Sequence, residues 1–371
     1  MIPVFEPVIA EDEIQAVVDA LRRGEVSGSF GESIEKFENE FAAFVGCKYG
    51  ITVNSGSTAL QVAVAALELT PGDEILVSSS TNIATALAAV HNDLVPVPVD
   101  AEPVTWNLNL DLVEELITPK TKAIIPVHLY GHPVDMDRLM EIASRHNLIV
   151  IEDCAESHGA TVRGRMTGSF GHMACFSFYA NKVITTGEGG MVTTNDPAKA
   201  ERLRLLRNLG FTTPRFRHEV AGFNFRMPGY VAALGLAQFR KIKRIVEEKR
   251  KIAHLYNEAL KTIPGIQMPT ELDWATNVYW MYGIVIKPDF GISRDQLIEA
   301  LAERGIQTRT FFCPMNQQPA LQKQRGFRNI PCPVADSLWE NGLYLPSTWN
   351  LEEETITFIA DAIRQAPRWQ G

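Results

Sequence analysis

The chain has 371 residues, 46% of them hydrophobic and 21% charged, and this length predicts one large domain and a smaller one. The 35 Lys and Arg residues against 44 Asp and Glu give a net charge of −9, which argues against broad binding to nucleic acid or anionic membranes but still allows a local phosphate pocket. The chain shows neither a basic, apolar signal peptide nor an apolar run of about 18 residues, so we expect a cytoplasmic protein without a membrane span.

Apolar runs alternate with helical patterns through the first 153 residues. Runs without polar alternation predict strands buried on both faces, and helices between them predict a parallel sheet. The prolines of "VPVPVD" suit the edge of a sheet or the end of a strand. The predicted order is helix 57–69, strand 74–77, helix 83–92, the segment "VPVPVD", helix 110–117, strand 122–129, helix 135–147 and strand 148–153.

The alternation of strands and helices then breaks. "HMACFSFYA" and "GGMVTTND" predict two strands around a glycine-rich turn, so the sheet is expected to be mixed there. A helical pattern from about 231 to 260 predicts one long helix between the domains, and Ser293 is expected to cap a later helix. We place the large domain at residues 1–240 and the small domain at 241–371, with the extreme N-terminus packed on the small domain.

The five cysteines are scattered, odd in number and without CxxC spacing. They indicate reduced buried thiols, with neither a disulfide framework nor a zinc site. No other set of acids and histidines has convincing ligand spacing, so no metal is expected. These cysteines are Cys47, Cys154, Cys175, Cys313 and Cys332.

Two segments stand where strands of the predicted sheet end, which is where open α/β sheets bind ligands. "VNSGSTAL" opens a helix with Gly56, Ser57 and Thr58, and free amides at a helix start favour a phosphate; alternatively, Ser57 only caps the helix. Asp153 ends an apolar strand, and a buried carboxylate there needs a partner, although it could also serve as a helix cap.

Lys182 lies in "FYANKVITTGEGG", among aromatic and β-branched neighbours. Burial lowers the pKa of a lysine and makes it a nucleophile and base suited to Schiff-base chemistry. A lysine that reaches the surface along its apolar stem is the alternative. Together with the phosphate cradle and the strand-end Asp153, however, Lys182 completes the set of groups that pyridoxal phosphate requires.

The chain also resembles the sugar-nucleotide aminotransferases of the DegT/DnrJ/EryC/StrS family along nearly its whole length. Within that family it is similar to perosamine synthases and related 4-aminotransferases, on "VHLYG", "ITTGEGGM" and "YWMY". The segments that carry the family resemblance are "SGSTAL", "PVHLYGHPVDMD", "VIEDCAESHGA", "GSFGHMACFSFYANKVITTGEGGMVTTND", "GFNFRM" and "GIQTR".

The resemblance implies a role for each matching residue. Lys182 matches the lysine that binds pyridoxal phosphate as a Schiff base, Asp153 the partner of the ring nitrogen, and Glu156 the residue beside the ring hydroxyl. Ser177 matches a side-chain ligand of the phosphate. The backbone-amide cradle is matched by Ser57 and Thr58.

A second subunit is implied as well, because Asn224 matches a phosphate ligand contributed across a homodimer. Arg226 beside it is expected to face the substrate's diphosphate. Arg309 is a candidate for bidentate binding of a carboxylate or phosphate through its guanidinium, with an ordinary ion pair as the alternative. The chain departs from the family at Asn82, where relatives often stack an aromatic ring on the cofactor, and at Asn316, where many have a histidine that bears on sugar recognition.

The resemblance implies the fold of type I aminotransferases: α/β, with a mixed, mostly parallel seven-stranded sheet in the large domain and a smaller C-terminal α/β domain. The implied reaction moves the amino group of L-glutamate, through pyridoxamine phosphate, to a nucleotide-linked 4-keto-6-deoxy sugar and leaves 2-oxoglutarate. A GDP-sugar is favoured over dTDP- or UDP-sugars. One alternative is an aminotransferase for a 3-keto sugar or a cyclitol. Another is a non-catalytic regulator that binds pyridoxal phosphate, but the sequence has no basic DNA-binding appendage to support that interpretation.

Overall fold

The computed structural model describes residues 1–214 and 216–366. Helices line both faces of a large central sheet and one side of a smaller C-terminal sheet. In chain order the α-helices are α1 Glu11–Arg22, α2 Glu32–Val45, α3 Gly56–Ala65, α4 Ala84–Val90, α5 Val113–Leu116, α6 Met136–Arg145, α7 Pro197–Arg207, α8 Gly229–Phe239, α9 Ile242–Leu260, α10 Arg294–Glu303, α11 Pro319–Gln322, α12 Pro333–Asn341 and α13 Glu353–Gln365.

The described strands form a seven-stranded sheet in the order β1-β9-β8-β5-β4-β2-β3, a four-stranded sheet in the order β10-β12-β14-β13 and a three-stranded sheet in the order β11-β6-β7. The strands are β1 Tyr49–Val53, β2 Glu74–Ser78, β3 Val95–Val99, β4 Thr121–Ile125, β5 Ile149–Asp153, β6 Thr161–Val162, β7 Arg165–Met166, β8 Met173–Ser177, β9 Gly190–Thr194, β10 Ile266–Gln267, β11 Ala275–Thr276, β12 Tyr282–Ile286, β13 Arg309–Thr310 and β14 Gly342–Leu345.

The large sheet confirms the predicted mixed, mostly parallel architecture. Strand β9 runs antiparallel to both of its neighbours, whereas the pairs from β8 through β3 are parallel. The Pro-containing β3 lies at an edge of the sheet, where a missing backbone N–H costs least.

Both faces of this sheet are buried, which explains the apolar runs. In β2, Ile75 and Val77 belong to the apolar core that includes residues of α3 and α4, while Leu76 between them belongs to the core on the opposite face, which includes residues of α6. Near β8 that opposite face is covered by Phe41 of α2 and Phe239 of α8, whose rings lie 5.5 Å apart. Helices on both faces leave the carboxyl ends of the parallel strands free at one edge.

The C-terminal sheet has its own apolar core, packed against α9, α10 and α13. Ser293 caps α10 as the sequence predicted, accepting a hydrogen bond of 3.2 Å from the backbone N–H of Gln296. The start of the chain reaches this region, since the Ile2 N–H donates to the carbonyl of Gly305 at 2.6 Å. Within the part of the chain that the structure describes, no helix is both long enough and apolar enough to cross a membrane.

The single long helix predicted over 231–260 is wrong. Helix α8 ends at Phe239 and α9 begins at Ile242, with Lys241 at φ −99° and ψ 0° between them. The apolar pattern runs through this bend because α8 buries against α1 and α2, whereas α9 contacts α13 in the C-terminal region. The break coincides with the predicted domain boundary at 240.

Candidate active site

A cavity of about 460 Å³ opens at the carboxyl ends of the central strands. It has walls from the segments that follow β1, β2, β5 and β8, and one further wall from the C-terminal region. Parallel strands bring residues that are far apart in the chain to this one edge. Of the sequence-predicted site residues, the cavity collects Ser57, Asn82, Asp153, Glu156, Ser177 and Lys182.

The start of α3 forms one end of the cavity. Ser55, rather than Ser57, caps the helix by accepting a 3.1 Å hydrogen bond from the Thr58 N–H, so Ser57 remains exposed to the cavity. Gly56 lies so close to β8 that an added Cβ would stand 2.6 Å from the Ser177 Cβ. The close approach aligns free amides of the helix start with the Ser177 hydroxyl, an arrangement suited to a phosphate.

Asp153 lies at the end of β5 and is 3% exposed. Its Oδ1 accepts a 3.1 Å hydrogen bond from the backbone N–H of Ala155, and its Oδ2 accepts one of 2.9 Å from the Thr85 hydroxyl. Burial raises the pKa of this carboxyl, while these hydrogen bonds and the positive charge of Lys182 act in the opposite direction. A cationic partner in the cavity would therefore be strongly favoured.

Lys182 follows β8, and its side chain is 11% exposed. Its Nζ lies 3.7 Å from Oε1 of Glu156, whose Oε2 accepts a 2.8 Å hydrogen bond from the Tyr130 N–H. Burial lowers the pKa of Lys182, and burial raises the pKa of Glu156 to about 7 despite the lysine beside it. Burial therefore disfavours the charged form of both groups, and their opposite charges offset part of that cost.

Three aromatic side chains, Trp280, Phe312 and Tyr344, form the wall from the C-terminal region. None of the three was predicted from the sequence as a site residue. They are far from Lys182 in the chain, and an aromatic residue in an apolar context is equally typical of a core. The indole Nε1 of Trp280 donates a 2.6 Å hydrogen bond to the carbonyl of Asn181, which joins this wall to the lysine segment.

The cavity fits pyridoxal phosphate. It combines a helix start with a hydroxyl for the phosphate, a buried carboxylate for the ring nitrogen and a buried amine for the aldehyde. Asn181 adds a buried side-chain oxygen, Oδ1, that has no hydrogen-bond partner among the described residues. A buried polar atom without a partner is costly, and a polar ligand in the cavity would satisfy it.

The other predicted site residues lie outside this cavity. The Thr58 hydroxyl donates to Asn54 within the helix cap, and Asn224 is exposed on the segment before α8. Arg226 donates a 2.8 Å hydrogen bond to Asn208, and Arg309 is exposed in β13. Asn316 is buried, with its amide nitrogen 3.1 Å from Asp336. Their roles in binding stay predictions.

Asn82 lines the cavity but holds its own helix start, because its Oδ1 accepts a 3.0 Å hydrogen bond from the Ala84 N–H. Its role against the cofactor ring also stays a prediction. Thr85, one turn further on, was missed by the sequence analysis, although it binds Asp153 directly. A threonine early in a helix gives no local signal of that contact.

A second buried polar cluster, His128, Glu152 and Cys154, has its ligand atoms within 4.8 Å of one another. Both oxygens of Glu152 accept backbone hydrogen bonds, from Gly168 and Phe170 among others, and the ring of His128 contacts Glu152 at 3.2 Å. Its other ring nitrogen accepts from the Val134 N–H. These bonds give the cluster a structural role behind β5.

Comparison with known proteins agrees with this geometry. The model of the DegT/DnrJ/EryC1/StrS aminotransferase family matches residues 7–364. A GDP-perosamine synthase of Caulobacter vibrioides is 39% identical over 366 residues, covering 98% of each chain. A dTDP-3-amino-3,4,6-trideoxy-alpha-D-glucose transaminase of Streptomyces venezuelae is 37% identical, covering 98% of this chain and 96% of that one. The crystal structure of S. venezuelae DesV has a TM-score of 0.89 at 37% identity, covering 95% of this chain and 94% of that one.

Proposed function

We propose that this chain, which belongs to the DegT/DnrJ/EryC1/StrS aminotransferase family, transfers the amino group of L-glutamate to a nucleotide-linked 4-keto-6-deoxy sugar. It is a pyridoxal-phosphate-dependent aminotransferase, as are the members of its family. The observation that carries the assignment is the meeting of Lys182, Asp153 and the α3 helix start in one cavity. Bound pyridoxal phosphate supplies an aldehyde carbon that takes up amines and a ring that accepts electrons.

The residues of the chain hold the cofactor and move protons. The start of α3 and the Ser177 hydroxyl would bind the phosphate, and Asp153 would keep a proton on the ring nitrogen. Lys182 would be the base at the reacting carbon, because burial lowers its pKa and so favours the neutral amine. Glu156 lies 3.7 Å from Nζ, and its negative charge would favour the protonated form of the amine.

The 4-keto sugar is favoured by the identity to GDP-perosamine synthases, which reaches 39%. A 3-keto sugar is the second candidate, because the transaminase of S. venezuelae is 37% identical and its name specifies a 3-amino product. Either substrate could use the same lysine, since the orientation of the sugar selects the carbonyl. Incubating the enzyme with L-glutamate and each keto-sugar nucleotide, then locating the new amine by NMR, separates the two.

The cofactor assignment has its own test. Purified protein saturated with pyridoxal phosphate should absorb as a protein-bound imine, and borohydride should fix the cofactor to Lys182 in peptide mass spectra. The variant Lys182→Ala should lose both signals and turnover. Normal turnover in that variant would reject the proposal.

The proposal includes a homodimer in which each subunit completes its partner's site. Among the described residues that line the cavity, Lys182 is the one Lys or Arg, whereas L-glutamate and a sugar nucleotide both carry anionic groups. Asn224 and Arg226 lie on the segment before α8, outside the cavity of their own chain. That segment of a second copy would supply a phosphate ligand and a guanidinium.

Complementation between variants tests the shared site. Homodimers of Lys182→Ala and of Asn224→Ala should each be impaired. In mixed dimers one site carries both changes and the other carries neither, so random mixing should restore about a quarter of the parental activity. Mixed samples no more active than the sum of the two homodimers would show that Asn224 acts within its own chain.

A further inference from the structure

The indole of Trp280 presents its face to the amine of Lys182. The Nζ atom lies 3.7 Å from the ring centroid, well within the range of a cation–π contact. The same Nζ lies 3.7 Å from Oε1 of Glu156. Lysine is therefore held between a carboxylate and the electron-rich face of the best aromatic partner for a cation.

The orientation of this indole is fixed by its surroundings. Trp280 is 2% exposed, its Nε1 donates to the Asn181 carbonyl at 2.6 Å, and its ring stacks on Tyr130 with centroids 6.2 Å apart and planes 17° apart. Tyr130 in turn binds Glu156 through its backbone N–H. Trp280 and Glu156, which both favour an ammonium at Nζ, are thus both held by Tyr130.

The remaining titratable groups around the amine are compatible with a cation. Asp153 ends β5, Glu156 follows that strand, and Glu188 lines the cavity from the turn before β9. His158 is buried, and burial lowers its pKa to about 3, so it stays neutral and does not repel the amine. Tyr344 of β14 lines the same cavity, and burial raises the pKa of its hydroxyl to about 12.

We propose that Trp280 is a positioning residue, whose indole face holds the ammonium of Lys182 whenever the lysine is not covalently bound to the cofactor. The inference rests on the proposed function, in which Lys182 is released when the cofactor carries the amino group. Trp280 then keeps the freed amine beside the cavity and favours its protonated form. It acts through Lys182 and need not touch the substrate.

Fluorinated tryptophans at position 280 test this inference without disturbing the packing. Fluorine withdraws electrons from the ring face but keeps the shape and the Nε1–H donor. Holoenzyme is first converted with L-glutamate, which frees Lys182, and is then acetylated briefly over a range of pH. Mass spectrometry gives the pH at which half of Lys182 is labelled. That midpoint should fall stepwise with each added fluorine, and by about one pH unit in Trp280→Leu.

A matched control is Trp274→Leu, which removes a cation–π contact of 5.5 Å with Arg163 away from the cavity. Its Lys182 midpoint should equal that of the parent. Equal midpoints throughout the fluorinated series would overturn the role of Trp280. Failure of the proposed function would show differently: Lys182 would be labelled equally before and after L-glutamate, while the fluorinated series would still report the indole contact.

Discussion

The hydroxyl of Thr85 donates a 2.9 Å hydrogen bond to Oδ2 of Asp153, joining the second residue of α4 to the end of β5. Both side chains are buried, so this bond replaces solvent for a carboxylate that burial would otherwise drive toward its neutral form. Thr85 thereby helps to keep a negative charge where the cofactor's ring nitrogen is expected.

Asp153→Asn should lose this charge while keeping the shape of the side chain. Removing one partner of a buried charged pair costs about 3–5 kcal/mol, so turnover should fall on the order of 10²–10⁴-fold. Thr85→Val should raise the pKa of Asp153 and cause a smaller loss that is greatest at acid pH. Steady-state kinetics from pH 5 to 9 measures both, and an unimpaired Asp153→Asn enzyme would contradict the assigned role.

Gly56→Ala should damage the phosphate cradle. The new Cβ would stand 2.6 Å from the Ser177 Cβ, too close for the two elements to keep their spacing. Overpacking of this kind costs about 1–3 kcal/mol, and we expect pyridoxal phosphate to bind about tenfold or more weakly. Equilibrium titration of the cofactor-free protein with pyridoxal phosphate measures this change in affinity. Ser57→Ala keeps the backbone amides and should have a smaller effect; the reverse order would count against the cradle.

Glu156→Gln should shift the protonation of Lys182. The carboxylate favours the ammonium, so its loss lowers the pKa of Lys182 further and leaves the amine neutral at lower pH. The acid limb of pyridoxal phosphate capture, followed by absorbance, should move down by about one pH unit. Glu188→Gln removes a more exposed carboxylate from the same cavity and should shift it less. An upward shift in Glu156→Gln would refute the coupling.

Lys249→Met should stabilise the protein at neutral pH. Lys249 is 3% exposed and donates a 2.7 Å hydrogen bond to the Ser347 carbonyl, and burial lowers its pKa to about 7. Between that pH and the ordinary lysine value the unfolded chain binds a proton that the folded chain lacks, so stability rises with pH through this window.

Burying the charged form of Lys249 lowers the free energy of unfolding. This destabilisation is fully present below pH 7 and disappears as the pH approaches the ordinary lysine pKa. Net of the lost hydrogen bond, Lys249→Met should raise the free energy of unfolding at pH 7 by about 1–3 kcal/mol and flatten its rise toward pH 10. Urea unfolding at several pH values measures this. As a control, Lys251→Met, at an exposed position of the same helix, should change neither the free energy of unfolding at pH 7 nor its pH dependence.

The architecture of the large sheet could be read from the sequence because its determinants are local. Apolar runs such as β4 and β5, separated by helical periods, have few solutions other than a covered parallel sheet. The prolines of β3 indicated the edge of a sheet or the end of a strand, and the glycine-rich turn before β9 indicated a mixed sheet. Helix continuity from 231 to 260 was misjudged because neither Gly nor Pro marks the bend at Lys241.

Residues that line the cavity were predictable where the residue type is unusual for its surroundings. A lysine in an aromatic, β-branched context and a lone acid at the end of an apolar strand are unusual enough to attract attention. Trp280, Phe312 and Tyr344 carry no such signal, since their burial and aromatic character equally suit a core. Only the folded chain brings them within reach of Lys182.

The aromatic wall comes from the C-terminal part of the chain, which affects the order in which the cavity is assembled during translation. A ribosome synthesises the central sheet and Lys182 well before it reaches codons 280, 312 and 344. A nascent chain that has only just completed α8 therefore exposes Lys182 without its indole neighbour and lacks one side of the pocket. Catalytic competence should arise late, when the last quarter of the polypeptide leaves the exit tunnel and docks.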